Sequence, residues 1–483
     1  MAWLIAATAA LRLLFAGLTG LGIDESYVAA AGRDFHFGYF DHPPAVWWLA
    51  AAAQRIADTP LAARLPFIAL FALSTWLMFC LGRAIQSPRA GFWAAFSFNL
   101  APVFAVTTGT WVLPDGPLTT ALLAAALCLH RALPADESRA SWGWWLGAGL
   151  CAGLALFAKY SAILTLGGAF IYLLTQPTHR RWLARPHPYV AVLAALAVFS
   201  PVLVWNATHH WASFAFQGGR TGAPHFHPLA PLQALAGQAL FLTPWVWLPL
   251  ILSLTGALRR GPAQWQSWLF ACLALPPIAV FTFIAAIADR PVLYHWAAPG
   301  YLMLVPLLGA AIAIRLEAGD RRPRAWAIAS AAFLCFGVAV VTAQIHLNIL
   351  PRYVPGEDPA MDAVDWTELR AAWREAGAPP IVAGTNWRDT GKIDFALAGA
   401  ATVTCLCADA RQYALNAPAE IFIGRDILVV VKQNRQARTL QDLRPLFASL
   451  DNLPPVIIAH GHEPGITLSL IQGRKFLAWP PPR

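Results

Sequence analysis

Long apolar runs alternate with short polar segments through the first 350 residues of this 483-residue chain. A helix needs roughly twenty apolar residues to cross a hydrocarbon core about 30 Å thick. About eleven runs approach that length, which predicts that many spans. They lie at residues 3–22, 61–81, 90–108, 117–133, 143–158, 161–175, 188–205, 236–256, 266–287, 297–314 and 326–347. The pattern predicts a polytopic α-helical membrane protein.

The polar segments between these runs form two alternating sets. One set holds most of the arginines of the first 350 residues, namely Arg83, Arg89, Arg131, Arg139, Arg180, Arg181, Arg185, Arg259, Arg260, Arg315, Arg321, Arg322 and Arg324. Positively charged loops stay on the cytoplasmic side, so this set is predicted to face inward. The other set comprises residues 23–60, the turns around Asp115 and Lys159, and residues 206–235 and 288–296. This second set is predicted to face outward, and it carries nearly every unusual polar residue.

The character of the chain changes after residue 350. Helix-like runs at 366–376 and 390–397 alternate with strand-like runs at 380–384, 402–406, 427–431 and 455–459. Such alternation indicates a small α/β domain, and a segment of about 130 residues can bury its own core. We therefore divide the chain into a transmembrane domain, residues 1–350, and a soluble α/β domain, residues 351–483, on the outer side.

Composition supports this division and excludes other classes. Hydrophobic residues make up 58% of the chain and charged residues 12%, whereas soluble proteins carry about 25% charged residues. The net charge of +9 reflects arginines in the short loops, so it indicates orientation and not nucleic-acid binding. Cys405 and Cys407 form a C-x-C in a predicted strand, where their side chains would point to opposite faces. Further zinc ligands at a suitable spacing are absent from the sequence.

The first outer segment, residues 23–60, contains two polar clusters. Asp24 and Glu25 follow the first span directly, and Asp41-His42-Pro43-Pro44 comes later in the segment. Ionisable residues at a membrane boundary are costly and usually functional, and a carboxylate there can act as a general base. The alternative is a solvated helix end. Between the clusters and the next span, residues 46–57 are apolar and too short to span, which predicts a helix in the plane of the interface.

Further charged residues lie in the other outer segments. Lys159, Arg220 and His295 each stand at the end of an apolar run. Such cations can snorkel to the interface, but several on one face are typical of a phosphate site. Asp115 lies in a Pro-Asp-Gly-Pro turn, where turn formation alone is an equally good explanation.

Several of these segments resemble one family. GIDESYVAAAGRDFHFGYFDHPPAVWW (22–48) resembles the first outer loop of the protein O-mannosyltransferase-like glycosyltransferases, of the family 39 and 83 type, and in particular the bacterial relatives that transfer aminoarabinose to lipid A. SPVLVWNATHHWASFAFQGGR (200–220) resembles the signature of the larger bacterial subgroup. Weaker resemblances occur in TWVLPDGPL (110–118), GLALFAKYSAIL (153–164), YHWAAPGYLMLVPLLG (294–309), GTNWRDTGKIDFAL (384–397) and VTCLC (403–407).

The resemblance implies a glycosyltransferase-C fold in the inner (plasma) membrane, with residues 1–350 catalytic and the site periplasmic. It also implies a polyprenyl-phosphate-linked sugar donor. For such a donor we expect a single displacement, which inverts the anomeric carbon. The acceptor would be a hydroxyl or phosphate of lipid A or lipopolysaccharide, of another glycan, or of a protein. Where the aminoarabinose relatives have Glu-Lys-Pro, this chain has Asp41-His42-Pro43. A histidine is only partly protonated near neutral pH, so Asp41 would hold it charged for a phosphate, or the two would contribute to a metal site.

These considerations give three groups of candidate site residues. Asp24, Glu25 and Asp115 are predicted to be catalytic, with Asp24 as the base. The donor phosphate is assigned to His42, Lys159, Arg220 and His295, and substrate contacts to Asp41, Tyr39 and Tyr294. The sequence identifies no cofactor with certainty, and a divalent metal is kept as an alternative. A transporter or lipid flippase is the rival function, although such proteins normally show internal repeats and this sequence shows none.

Overall fold

The computed structural model describes residues 1–135, 139–348, 359–461 and 463–479, so the predicted boundary at residue 350 lies outside the described residues. Helices form the first part of the chain. They are α1 (Ala2–Leu18), α2 (Ile23–Ala31), α3 (Ala45–Gln54), α4 (Pro60–Ile85), α5 (Pro88–Phe98), α6 (Asp115–Ala132), α7 (Arg139–Ala158), α8 (Ala162–Thr175), α9 (His187–Thr208), α10 (Ala212–Gly218), α11 (Ala230–Leu242), α12 (Pro244–Arg260), α13 (Trp265–Phe283), α14 (Ala298–Glu317) and α15 (Arg322–Leu347).

The polytopic helical architecture predicted from the apolar runs is confirmed. Within the described ranges, six helical segments are long and apolar enough to cross a membrane: Pro60–Ile85, Arg139–Ala158, His187–Thr208, Trp265–Ala286, Tyr294–Glu317 and Arg322–Leu347. The number rises to eight if two sharply bent pairs, α1 with α2 and α11 with α12, each count as one span. The run at 90–108 is divided between α5 and a π-helix, Val103–Thr108. The count of about eleven spans therefore stays a prediction.

Local sequence explains where several helices begin. Thr59 and Ser87 each accept a hydrogen bond from the backbone N–H three residues later, and a proline follows each of them at the first helical position. A hydroxyl cap and an N-terminal proline are both favourable there, because the first N–H groups of a helix have no partner within it. These caps start α4 and α5 immediately after short polar turns.

The break between α1 and α2 has a different origin. α1 ends in extended backbone at Thr19, and the chain turns by 84° over the Gly20-Leu21-Gly22 segment before α2 begins. A Cβ on Gly20 would lie 2.6 Å from the backbone oxygen of Ala363, so only glycine fits there. α2 thus leaves the line of the first span, and Asp24 lies in its first turn.

The arginine-rich loops converge at one end of the bundle, as their alternation predicts. Arg89 lies 3.5 Å from Glu317, and Arg181 donates a hydrogen bond of 3.3 Å to the backbone oxygen of Ala135. α6 runs from Asp115 toward this end and α7 returns from it, so Asp115 and the residue after α7, Lys159, lie at the opposite end.

The C-terminal part, residues 359–479, contains a five-stranded sheet. Its strands are β1 (Ile381–Gly384), β2 (Thr402–Cys405), β3 (Ile427–Lys432), β4 (Phe447–His460) and β5 (Glu463–Phe476), and its helices are α16 (Glu368–Glu375), α17 (Trp387–Leu397), α18 (Tyr413–Asn416) and α19 (Gln436–Leu443). The strand order is β2-β1-β3-β5-β4, with β1 parallel to β2 and β3 and with β5 antiparallel to β3 and β4. The predicted α/β elements are all present, and β5 was missed.

This C-terminal part packs directly on the first outer segment. α17 lies against α2 so closely that a Cβ on Gly391 would be 2.7 Å from the Cα atom of Tyr27. The Tyr27 ring meets those of Trp47, Trp387 and Tyr413 at centroid distances of 5.2, 5.2 and 5.9 Å. Aromatic groups in edge-on contact contribute beyond their buried area. One hydrophobic core therefore joins the two parts.

The C-terminal part also supplies hydrogen bonds to the broken helix. The backbone N–H of Leu21 donates to the Asp365 carboxylate at 3.0 Å. Its carbonyl accepts from the buried Lys392 ammonium, which also donates to Val364 O. Both backbone groups at the break, which helix α1 leaves unpaired, thus find partners in the C-terminal part.

Candidate active site

Asp24 lies at the end of the bundle opposite the arginine loops. It makes no hydrogen bond or ion pair with any residue that the structure describes. Asp24 is exposed to solvent, yet it lies in a recess crowded by protein. Partial loss of water raises the pKa of Asp24 above its ordinary value, and nearby Arg411, Arg388 and Arg220 oppose that rise. A carboxylate that no described residue engages is available to act as a general base.

Glu25, by contrast, is fully engaged. Its carboxylate receives two hydrogen bonds from Arg64, at 2.6 and 2.8 Å, and accepts the backbone N–H groups of Gly22 and Val112 at 2.8 and 3.0 Å. Glu25 and Arg64 are 3% and 1% exposed. Arg64 also donates to the carbonyl of Thr19. With its oxygens occupied in the core, Glu25 fixes the turn before α2 and presents nothing to a substrate.

Asp115 and Lys159 form a second buried pair. The Lys159 Nζ atom lies 2.9 Å from each Asp115 oxygen. Asp115 opens α6 and Lys159 follows α7, so the pair links two helix ends. Lys159 was predicted as a free phosphate cation and Asp115 as a catalytic residue, but each compensates the charge of the other. His295 lies close enough for its charge to interact with both.

A cavity of about 140 Å³ lies beside this pair. Its lining includes His42, Lys159 and Arg220, which the sequence assigned to a phosphate, together with Gln217, Tyr160 and Trp296. The Arg220 guanidinium lies over the Trp296 ring, 4.5 Å from its centroid, and forms no ion pair with a described residue. An arginine that is stacked but not ion-paired is suited to bind an anion. The cavity thus collects three of the four predicted phosphate residues.

The Asp41-His42 pair differs from the prediction. The Asp41 carboxylate pairs with Arg411 at 3.3 Å, and the Asp41 carbonyl accepts a hydrogen bond from Gln217. Burial, with smaller effects of Lys159 and Arg220, lowers the pKa of His42 to about 3. The prediction that Asp41 holds His42 charged is therefore wrong. The lowered pKa favours the neutral imidazole, and the buried Nδ1 of His42 has no hydrogen-bond partner in the described part of the chain.

The structure places the two tyrosines predicted to contact substrate outside the lining of this cavity. Tyr39 is fully buried and stacks on Trp47, with ring centroids 4.4 Å apart. Its hydroxyl donates to the Asp34 carbonyl, so it supports the first outer segment and cannot reach a substrate. Tyr294 does not line the cavity beside Lys159; it lines a second, more open cavity with Arg290.

Other residues at the site carried little or no signal in the sequence. Gln217 and Trp296 lie inside quoted motifs, but no role was assigned to them. Arg388 belongs to the NWRDTGK segment, which was read only as part of the soluble domain. Arg411 lies in no motif, and its position depends entirely on how the C-terminal part packs on α2.

A metal site was kept as an alternative. Among the described residues, no three His, Cys, Asp or Glu side chains are grouped so that they could hold a metal ion. The Cys405 and Cys407 sulfur atoms lie 2.7 Å apart. The prediction that they face opposite ways is wrong because β2 ends at Cys405 and the chain bends there.

Comparisons with known proteins agree with this architecture. The profile of the dolichyl-phosphate-mannose-protein mannosyltransferase family matches residues 41–205. The crystal structure of ArnT from Cupriavidus metallidurans bound to undecaprenyl phosphate covers 97% of both chains, with a TM-score of 0.66 and 16% identity. The chain has the glycosyltransferase-C fold. The apo structure of the same protein gives a TM-score of 0.64 at 15% identity, again over 97% of both chains.

One curated relative matches in sequence. Lipid A galacturonosyltransferase RgtD from Rhizobium johnstonii is 21% identical over 298 residues, which are 59% of this chain and 59% of that protein. The chain is thus aligned with less than two thirds of this relative's length. Together with the family profile, the match confirms the resemblance to the protein O-mannosyltransferase-like glycosyltransferases.

Proposed function

We propose that this glycosyltransferase-C protein transfers a sugar from a polyprenyl-phosphate-linked donor to an acceptor outside the cytoplasm. The observation that carries the proposal is that Asp24, a carboxylate without a partner among the described residues, lies close enough to Arg220 for the two charges to interact, while Arg220 and Lys159 line one cavity. A base and a phosphate-binding surface at one end of a membrane bundle are the parts that such a transfer needs.

The similar proteins support the choice of substrates. The ArnT structure contains undecaprenyl phosphate, and the curated relative acts on lipid A. We therefore propose undecaprenyl phosphate as the carrier and lipid A, or a related surface glycolipid, as the acceptor. The transporter alternative finds no support among these comparisons. The arginine loops at the opposite end of the bundle support a site on the periplasmic face of the inner membrane.

The mechanism is a single displacement. Asp24 takes the proton of the acceptor hydroxyl as the oxygen attacks the anomeric carbon. The bond between that carbon and the phosphate oxygen breaks, and the phosphate leaves with its electron pair and full charge. One displacement inverts the anomeric configuration.

The cavity residues stabilise the leaving phosphate. Arg220, which has no competing ion pair with a described residue, supplies the main positive charge. Lys159 contributes a second positive charge, and its ion pair with Asp115 fixes the ammonium at the cavity wall. The neutral His42 contributes a hydrogen bond and no charge. Fixed donors of this kind act most strongly where charge develops in the transition state.

Binding of undecaprenyl phosphate to the purified full-length chain tests the proposal, followed by transfer in proteoliposomes from radiolabelled polyprenyl-phosphate sugars to lipid A. Arg220→Met should weaken carrier binding on the order of tenfold or more and lower turnover. Arg55→Met, an exposed arginine outside the cavity, is the matched control and should bind as the wild type does. Wild-type protein that neither binds the carrier nor transfers sugar would refute the proposal.

A further inference from the structure

The loop between β2 and α18 delivers one charged side chain from the C-terminal part to the first outer segment. The Arg411 guanidinium lies 3.3 Å from the Asp41 carboxylate and 3.5 Å from the centroid of the Trp387 ring. It also lies 5.4 Å from the Phe216 ring centroid. The exposed Asp409 of the same loop lies 3.7 Å from the guanidinium. Arg411 is thus held between two carboxylates and two aromatic rings.

The backbone around Arg411 is fixed in an unfavourable conformation. Arg411 has a φ of +49°, a left-handed value that costs energy for a residue with a side chain. Its neighbour Gln412 accounts for the persistence of this conformation. The Gln412 N–H donates to the Tyr27 hydroxyl at 3.0 Å, and its side-chain oxygen accepts from the Phe40 N–H at 2.9 Å. Strain held by such contacts is typical of positions where the direction of a side chain matters.

We propose that Arg411 is a positioning residue of the transfer site, so that the C-terminal part completes the site in addition to packing on it. The proposal rests on the proposed function. Arg411 holds Asp41, whose carbonyl holds Gln217 at the cavity wall. It also places a positive charge beside Asp24, the proposed base.

The charges facing these carboxylates indicate what Arg411 does. Asp24 faces Arg411, Arg388 and Arg220, and it neighbours Glu25. Asp41 faces Arg411, Arg220 and Asp24, and burial raises its pKa to about 6. Arg411 is the strongest of the charges that favour the ionised form of either carboxylate. Removing it raises both pKa values, so that Asp24 becomes protonated, and unable to act as a base, at higher pH.

The test is the pH dependence of kcat/KM for the full-length chain in proteoliposomes. The acid limb is the pH range in which kcat/KM rises as the base loses its proton. For Arg411→Met this limb should move to higher pH by about one unit. At pH values below the limb kcat/KM should therefore fall on the order of tenfold, and at pH values far above the limb the loss should be much smaller. Arg411→Lys keeps the charge and should keep the limb of the wild type. Arg425→Met, an exposed arginine of the same C-terminal part, should match the wild type at every pH.

Each outcome decides between positioning and mere packing. A loss for Arg411→Met that is equal at every pH, or no loss at all, would overturn the proposal. A shifted limb in Arg411→Lys would overturn it too, and this holds even if the methionine variant does not fold. An inactive wild type would overturn the proposed function and this inference together. An active wild type with an unmoved limb in Arg411→Met overturns the inference alone.

Discussion

Asp24 and Glu25 are adjacent in sequence, yet the structure assigns them opposite sensitivities. Replacing each with its amide, Asp24→Asn or Glu25→Gln, removes a negative charge and keeps the size of the side chain. Asp24 has no partner in the described structure, whereas Glu25 is bound to Arg64 and two backbone N–H groups. We expect Asp24→Asn to lose catalysis and keep stability, and Glu25→Gln to lose stability first.

The magnitudes follow from these contacts. Asp24→Asn breaks no interaction with a described residue, so the free energy of unfolding should change by no more than about 0.5 kcal/mol. Loss of a general base should lower turnover on the order of a hundredfold or more. Glu25→Gln leaves Arg64 charged and 1% exposed. Breaking a buried ion pair on one side costs roughly 3–5 kcal/mol, which should lower the melting temperature by several degrees.

Both variants would be compared with the wild type by thermal unfolding, binding of undecaprenyl phosphate and sugar transfer. Asp24→Asn should melt with the wild type, bind the carrier and fail to transfer. Glu25→Gln should melt earlier, and its residual activity should recover when the assay temperature is lowered. If Asp24→Asn transfers within a few-fold of the wild type, Asp24 is not the base. If Glu25→Gln melts normally and is inactive, the division of roles between the two carboxylates is reversed.

Three further outcomes are expected. A reporter fused after Arg483 should be active outside the cytoplasm and one fused at Arg185 inside it; the opposite result would invert the proposed active face. Lys159→Met should destabilise the protein by roughly 3–5 kcal/mol because Asp115 is left buried and charged, and adding Asp115→Asn should restore the melting temperature without restoring turnover. Because the pKa of His42 is lowered to about 3, the imidazole should stay uncharged between pH 6 and 8. Deprotonation of His42 should therefore not lower wild-type activity as the pH rises from 6 to 8. If activity does decline over this range and His42→Gln abolishes the decline, the charged imidazolium is the working form.

The sequence was sufficient for the features that depend on local pattern. Apolar length predicted the membrane helices, and the spacing of the arginines predicted which loops meet at one end. The alternating runs after residue 350 predicted most of the α/β sheet. β5 was missed because its polar residues and Gly465 and Gly473 weaken the strand pattern, although β4 and β3 pair with it on both sides.

The ion pairs of the site depend on tertiary packing and could not be predicted from local sequence patterns. The partner of Glu25, Arg64, is 39 residues away inside a predicted span, and Lys159 is 44 residues from Asp115. Adjacency was misleading for His42, since the neighbouring Asp41 pairs with an arginine 370 residues later. Which charges neutralise one another is set by the packing of helices and of the C-terminal part, and no local pattern contains that information.

The hydrogen bonds at the helix break have a consequence for the order of biosynthesis. Leu21 leaves the ribosome among the first residues of the chain, whereas Asp365 and Lys392, which bind its N–H and carbonyl, are made more than 340 residues later. At synthesis rates of about 5–20 residues per second, this interval lasts tens of seconds. During this interval the Leu21 N–H needs water or a temporary partner, and the complete set of hydrogen bonds at the break forms only when the C-terminal part arrives. A nascent chain stalled before that point carries its membrane helices without the contacts that the C-terminal part makes with the break and with Asp41.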